Sequence, residues 1–432
     1  MSLPVRGDRL AGVSSPTVPD VLREQWRVLA AASVLFVLTG GPSAFLMQRF
    51  TASGPDFEQW PYQYPFTLAG LAGAALLGSS WPRLSTRMER VAVGSLSAFV
   101  VWSLWSVQWS VLPAITSPRA LTSVGVMAFA IWFGTALDRA EQRRSVALAL
   151  AVFLVISVVL VAVVPSYGRG VFRVPSGGRF RGLSPNPNSL GPLCVLAAIT
   201  FVALLIESRR LVERVVAGGF TVLAVGLLIG SGSDTALAVA GVAVAVAVAV
   251  WGASRLQRRG GDGRIVAGAT VAVVVVVAVA VRQWFWKLSE LLSGDPTFDN
   301  RRNIWTQMLA VADMRPWRGW GYWAYWNVTN SGAVLRYGSA HNSLIEVYLG
   351  LGLVGAVLFV VIVALALVGV CRLVWCSFDT GNGWLAVVAV ALVIGHATES
   401  FVLWFSLNWA LVCSMAVGSW TIRHRTRPGA PV

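Results

Sequence analysis

The sequence predicts an all-α, polytopic membrane protein of about twelve transmembrane helices, and three observations carry that reading. Its 432 residues are 56% hydrophobic and only 12% charged, with mean hydropathy +0.69. That balance is too apolar for a water-soluble domain. Runs of roughly 17–25 apolar residues recur along the chain, each long enough to cross a bilayer as a helix. The short connections between runs segregate arginine to alternate sides, as the positive-inside rule requires.

The expected spans are residues 28–46, 61–80, 91–107, 119–137, 145–164, 188–206, 215–229, 234–252, 265–281, 342–370, 383–403 and 405–421. The first follows a segment, residues 1–27, too charged for a secretory signal, and no small-residue cleavage site follows it. It therefore reads as an uncleaved anchor. Arg83, Arg87 and Arg90 separate the second span from the third, and Arg139, Arg143 and Arg144 the fourth from the fifth. Arg209, Arg210 and Arg214 separate the sixth from the seventh.

The eighth span contains ALAVAGVAVAVAVAV (236–250), whose period of two would argue for a strand in water. Here alanine alternates with valine and no polar face exists, while an open strand in lipid would leave its backbone unpaired. A helix is expected, and the Val/Ala run of the ninth span reads the same way. Arg255, Arg258, Arg259 and Arg264 lie between these two. The tenth span is long, and only a tight turn divides the eleventh from the twelfth. Arg6, Arg9, Arg23 and Arg27 at one end and Arg423, Arg425 and Arg427 at the other join the same arginine-rich face. An even number of spans then puts both termini in the cytoplasm.

The net charge of +15 is mostly this topology signal. Nucleic-acid binding would gather basic residues on a soluble reading surface, and here they are dispersed in short connectors, so no nucleic-acid partner is expected. Lys287 is the only lysine. Cys194, Cys371, Cys376 and Cys413 all fall in or beside apolar spans, which argues against a disulfide framework or a zinc site.

Two outward loops carry the chemistry. The first, 165–188, reads PSYGRGVFRVPSGGRFRGLSPNPN, with four arginines on a face where arginine is normally scarce. Arg179 and Arg181 can fork onto phosphate oxygens, Gly182 allows close backbone approach, and Asn188 opens the next span, where free N–H groups favour an anion. The second loop, 282–340, is too polar to span and too long for a plain connector. RRNIWTQMLAVADM (301–314) has helical apolar spacing and reads as an amphipathic helix on the outer membrane surface. Arg301, Arg302 and Trp305 stand at its start, and His341 and Asn342 end the loop.

A neutral imidazole at His341, beside phosphate or a hydroxyl, can act as general base. Trp284, Trp286, Trp305, Trp317, Trp320, Trp323 and Trp326 crowd the same loop, as an interfacial belt or as surfaces for sugar rings or a prenyl chain. Glu346, one turn into the tenth span, and His396 and Glu399 at the outer end of the eleventh are ionisable groups at membrane depth, hence functional candidates or packing groups.

These motifs, in order, resemble the bacterial O-antigen ligase/polymerase superfamily. Arg179-x2-Gly182-x4-Pro187-Asn188 is similar to its first signature. Arg301-x3-Trp305, Pro316-x2-Gly319-x-Gly321, His341-Asn342 with Leu344, and Gly352-Leu-Val-Gly355 are similar to later ones. The resemblance covers roughly 179–355. It implies a GT-C-like membrane glycosyltransferase domain over 28–422, with extracytoplasmic loops 165–187 and 282–340 (the latter before the tenth helix) and cytoplasmic tails 1–27 and 423–432. It also implies transfer of a glycan from a polyprenyl diphosphate carrier to a glycan or lipid acceptor at the outer face of the cytoplasmic membrane, among membrane lipids, with no obligatory metal or other cofactor.

The family's essential residues carry over to Arg179, Arg301 and His341. Arg181, Asn188, Arg302, Trp305, Asn342, Glu346, His396 and Glu399 are the accompanying donor- and glycan-binding candidates. Two departures stand out: Ser231-Gly-Ser233-Asp234 ends in an acid where the family often has arginine, and Gly350 occupies a usually acidic position.

Two other classes fit parts of the chain. A transporter or flippase of a lipid-linked glycan suits the span count, and Asp56-Phe-Glu58 resembles the acid pair of metal-dependent enzymes that use prenyl-phosphate sugars. Topology decides whether the two loops share a compartment. A reporter active only outside the cytoplasm should work when fused after Gly177 or Gly332 and stay silent after Gly261; the opposite pattern overturns the orientation.

Overall fold

The computed structural model describes residues 18–50, 60–170, 178–259, 301–328, 339–376, 380–402 and 406–421. Among them the chain is helical, with no strand. Eight helices are long and apolar enough to cross a membrane, and three shorter apolar helices stand where the first, second and twelfth spans are expected. The expected ninth span lies outside the described residues, as do Asp56, Glu58, Trp284 and Trp286.

The first expected span is divided. Helices α1 (Val18–Leu38) and α2 (Gly41–Phe50) break at Gly40, whose φ of +77° no helix accommodates. α1 also begins well before residue 28, so the N-terminal segment is partly helical. α3 (Trp60–Ser79), α4 (Arg87–Trp105), α5 (Pro113–Ala136) and α6 (Arg139–Val163) follow the expected spans closely. Thr86 with Glu89, and Asp138 with Glu141, form capping boxes that start α4 and α6 beside their arginines. A short helix, α7 (Pro165–Gly168), turns the chain into the first loop. α8 (Pro187–Glu207), α9 (Leu211–Ser231) and α10 (Asp234–Arg258) come next. The alanine–valine alternation is helical throughout α10, as lipid requires.

α11 (Arg301–Ala312) is the helix of the long loop. Its apolar stripe, Ile304, Met308 and Ala312, is buried in the protein and packs against α12 (Ser343–Cys376) instead of lying on the membrane. α13 (Thr380–Thr398) and α14 (Leu407–Gly418) complete the chain. Small residues allow the closest packing: a Cβ on Gly125 of α5 would stand 2.3 Å from the Gly70 carbonyl oxygen of α3.

Contacts between connections respect the two expected faces. On the arginine-rich face Arg139 donates to the Gly418 carbonyl at 2.6 Å, Arg143 pairs with Glu207, and Thr421 bonds Glu89. On the other face Trp109 Nε1 donates to the Arg318 carbonyl at 2.9 Å, and Val111 N donates to Trp320 O at 3.1 Å.

The tenth span is not continuous. Gly352, at φ +67°, interrupts α12, and the freed carbonyls find partners in the long loop. Trp320 N and Gly321 N donate to Leu349 O and Gly350 O at 2.9 Å each, Leu353 N donates to Pro316 O at 2.7 Å, and Trp102 Nε1 donates to Leu351 O at 2.9 Å. Backbone at membrane depth has to be satisfied internally, and the Pro316–Gly321 segment does this. A Cβ on Gly352 would stand 2.3 Å from the Trp317 carbonyl carbon.

Gly352→Ala should therefore cost about 1–3 kcal/mol from backbone strain alone and lower the thermal midpoint in detergent. Gly226→Ala, in open space on α9, should be neutral or slightly stabilising. Equal midpoints for the two variants would remove the significance given to the break.

Candidate functional site

One end of the bundle brings three chain segments together: the start of α11, the 339–343 turn into α12, and residues 397–401 at the end of α13. Asn342 caps α12, its Oδ1 accepting from Leu344 N at 3.0 Å and Ile345 N at 3.2 Å. His341 precedes the helix rather than opening it and has φ +48°, a left-handed conformation uncommon for this residue type. Trp305 holds that turn by donating from Nε1 to Ala340 O at 2.9 Å. Asn342 Nδ2 reaches Ala397 O at 3.0 Å, and Ser343 Oγ donates to Glu399 O at 2.8 Å. The capping preference of one asparagine and its neighbouring serine thus ties the ends of two helices together.

The centre is a chain of charges. His341 Nδ1 lies 2.9 Å from Glu399 Oε2, and Arg301 Nη2 lies 2.7 Å from Glu399 Oε1. Arg301 also donates from Nη1 to the Thr398 carbonyl. A carboxylate only accepts, so His341 Nδ1 carries the proton it shares with Glu399; in the neutral ring that leaves the lone pair on Nε2. Arg301 is 2% exposed and Glu399 12%, while the His341 side chain is 27% exposed. The chain therefore runs from a buried cation through a carboxylate to an accessible ring. Burial alone would raise the Glu399 carboxyl; Arg301 first, and His341 after it, outweigh burial and hold it below the ordinary glutamate range. Arg302, next to the buried arginine, is exposed on the other side of α11.

Glu346 is buried and accepts three hydrogen bonds, from Trp326 Nε1, Ala340 N and Ser400 Oγ. His396 is buried among Phe359, Phe401 and Trp409, its Nδ1 2.8 Å from Ser343 Oγ. His396 and Glu399, one turn apart, thus meet at Ser343 Oγ, the first through its ring and the second through its backbone carbonyl, while the Glu399 carboxylate turns to Arg301 and His341.

The first loop forms the second part of the site. Phe180 N donates to Gly230 O at 2.7 Å and packs its ring where a Cβ on Gly230 would stand. That lays Arg179 across the C-terminus of α9: Nε reaches Ser231 O at 2.9 Å, and Nη2 reaches Gly232 O at 2.8 Å and Asn188 Oδ1 at 3.0 Å. A cation there complements the helix dipole. The side chain is half-buried, and its Nη1 edge has no hydrogen bond among the described residues. Arg181 instead turns inward, buried, with its guanidinium 4.3 Å from the Tyr167 ring centre and Nε bonded to Tyr167 O. The close approach at Gly182 is to Ser157 of α6, 2.6 Å from a would-be Cβ. Asn188 lies in the first turn of α8, whose cap is Asn186.

A small, largely apolar cleft lies between α8, α10 and α13, and Glu399 is the candidate residue on its wall. Pro192, one turn beyond Asn188, lines it together with Thr235, Gly395, Glu399 and Asn408. The structure thus gathers Arg301, Trp305, His341, Asn342, Glu346, His396 and Glu399 at one end of the bundle, and separately joins Arg179 to Asn188 between the end of α9 and the start of α8.

Several participants escaped sequence reasoning. Ser343, Ser400 and the Thr398 carbonyl all lie in the clasp around Glu399. The polar run Thr398-Glu399-Ser400 inside an otherwise apolar stretch was the available signal. Among the tryptophans, Trp320, Trp323 and Trp326 pack into the protein: Trp323 lies under Arg119 at 3.9 Å, and Trp320 Nε1 donates to Val311 O at 3.0 Å. Trp317 is 66% exposed, as an interfacial tryptophan would be.

Residues 219–360 match the family model described as Wzy_C, O-Antigen ligase. The matched region contains Arg301, Trp305, His341, Asn342 and Glu346, and it ends beyond the break at Gly352; Arg179 and Glu399 lie outside it. Among curated proteins no significant match was found. The match supports membership of this multi-pass membrane protein in the O-antigen ligase/polymerase superfamily.

Proposed function

We infer that the chain is a twelve-span, GT-C-like glycosyltransferase of the cytoplasmic membrane. It transfers or polymerises a glycan from a polyprenyl diphosphate carrier onto an acceptor hydroxyl at the outer face, in the synthesis of a surface or exported polysaccharide. The observation that carries this reading is the Arg301–Glu399–His341 chain, which ends on a partly exposed ring. A carboxylate that fixes one imidazole nitrogen leaves the other as an acceptor, the arrangement a general base requires.

In the proposed step His341 Nε2 takes the acceptor hydroxyl proton as the oxygen attacks the anomeric carbon. The carbon–oxygen bond to the diphosphate breaks, and the lipid diphosphate leaves with that electron pair. Glu399 stabilises the imidazolium that forms. Charge developing on the leaving group needs cations in place beforehand. The open edge of Arg179 and the exposed head of Arg302 are suited to that role. Arg301, buried and committed to Glu399, acts through the carboxylate. A transporter would place its ionisable groups near the bilayer midplane. Arg301, His341 and Glu399 stand at helix ends instead.

His341→Gln should lower the transfer rate ~10²–10⁴-fold while donor affinity changes little, because the cations supply that affinity. The wild-type rate should fall on acidification as the imidazole takes a proton. Glu399, held below its ordinary range, stays ionised through that window and contributes no limb of its own. In His341→Gln the acid limb should disappear. Weakened donor binding, together with a wild-type rate that rises in acid, would show a phosphate-holding cation instead of a base.

Arg179→Ala removes a charge-assisted contact worth about 1.5–3 kcal/mol, so transfer should slow at least ~10-fold in protein that still inserts. Lysine should restore only part of it, lacking the bidentate fork. Full activity in Arg179→Ala would remove that residue from the diphosphate clamp.

A further inference from the structure

We propose that Glu346 is a positioning residue that sets the geometry of the His341–Glu399 pair without itself touching the glycan or the diphosphate. The proposal rests on the reading of that pair as the proton-transfer machinery and assigns its alignment to one buried carboxylate. Glu346 is 2% exposed, enclosed one turn inside α12. Its Oε1 accepts from Ala340 N at 2.5 Å and Ser400 Oγ at 2.8 Å, and its Oε2 accepts from Trp326 Nε1 at 2.6 Å.

Ala340 immediately precedes His341, and Ser400 immediately follows Glu399. A single oxygen atom therefore holds the chain neighbours of both partners. His341 sits in a left-handed conformation that its own side chain does not favour, so its backbone must be held from outside. Ala340 N bonded to Glu346, with Trp305 on the Ala340 carbonyl, supplies that hold. On the opposite side Ser400 Oγ also receives Asn342 N at 3.3 Å, which closes the clasp.

The chemistry of the three donors selects a carboxylate. Ala340 N and Trp326 Nε1 can only donate, and they approach different oxygens. A glutamine at 346 has one oxygen and one amide nitrogen. In either orientation its NH2 faces a donor, and a buried donor loses its partner. An ordinary glycan contact would instead leave one carboxylate oxygen open to the ligand.

The test uses the full-length protein in nanodiscs. Histidine is labelled with ¹⁵N, which is practical because the chain has three histidines, His341, His396 and His424. Comparison with His341→Gln assigns the His341 signals. In the wild type His341 should show the Nδ1-protonated ring; in Glu346→Gln it should show a mixture of ring tautomers. Kinetically, Glu346→Gln should lower kcat about 10- to 100-fold with the donor KM nearly unchanged, as expected for a displaced catalytic group. The double variant Glu346→Gln/Glu399→Gln should be little slower than Glu399→Gln alone, since both act through one ring. Ser400→Ala gives a milder version of the same shift should Glu346→Gln fail to fold.

An unchanged His341 tautomer in both Glu346→Gln and Ser400→Ala overturns the proposal. So does a raised donor KM at constant kcat, or losses that multiply in the double variant. If the wild type turns over no lipid-diphosphate-linked glycan, the functional reading fails while the tautomer measurement still decides this one.

Discussion

The buried pair of Arg301 and Glu399 is the constraint around which this end of the bundle is organised. A guanidinium at 2% exposure needs its charge matched and its donors used, and breaking such a pair costs about 3–5 kcal/mol. Glu399 and the Thr398 carbonyl both lie just where α13 ends, so satisfying Arg301 draws the first turn of α11 onto that end. Once α11 is there, Trp305 meets the Ala340 carbonyl and His341 meets the remaining oxygen of Glu399. The same carboxylate that neutralises a structural cation thereby orients the accessible ring. A lysine at 301 would keep the charge and lose the fork that reaches carboxylate and carbonyl together.

That arrangement needs a platform, which a continuous tenth helix would not provide. The break at Gly352 exposes carbonyls that lipid cannot satisfy, and the Pro316–Gly321 segment fills the deficit with its own N–H groups. The exchange fixes the long loop against α12 and so fixes α11, whose apolar face packs on the same helix. The glycines of this loop are thus structural. Gly319, at φ +66°, lies against the Gly350 backbone, 2.5 Å from a would-be Cβ. A glycine at 350 leaves room for that contact, where an acidic side chain would stand beside the Gly321 carbonyl and the Trp323 backbone.

Most of the spans were legible because hydropathy and arginine placement are imposed by the bilayer residue by residue. Gly40 was not, since an apolar run does not report a left-handed turn within it. The positions Arg179, Arg301 and His341 stood out in the sequence as charges where charges are scarce. Which atoms they engage was not legible, because Glu399 arrives from 58 residues beyond His341 and 98 beyond Arg301. Arg301 and Arg302 look equivalent in sequence. Helical geometry separates them, since adjacent residues point about 100° apart, and one meets Glu399 while the other is exposed. Likewise Arg179 and Arg181 alternate across an extended segment, one toward α9 and the Asn188 side chain, the other onto Tyr167.

This division of arginines carries a consequence for the chemistry. A cation that must stabilise a departing diphosphate is effective when it is aimed and partly desolvated beforehand. Arg179 meets both conditions: the α9 carbonyls and Asn188 lock its orientation, and the half-buried head keeps one edge open. Those contacts are with neutral acceptors, so its full charge remains uncompensated by any carboxylate they provide. Arg301, by contrast, has its charge cancelled by Glu399 and is left with a mechanical role. On the proposed reading the two tasks of a cation, attracting an anion and holding a fold, fall to different segments of the chain. The hydrogen bonds of Glu346 and Glu399 around His341 involve none of the Arg179 contacts, so on that reading the ring is aligned without help from the first loop.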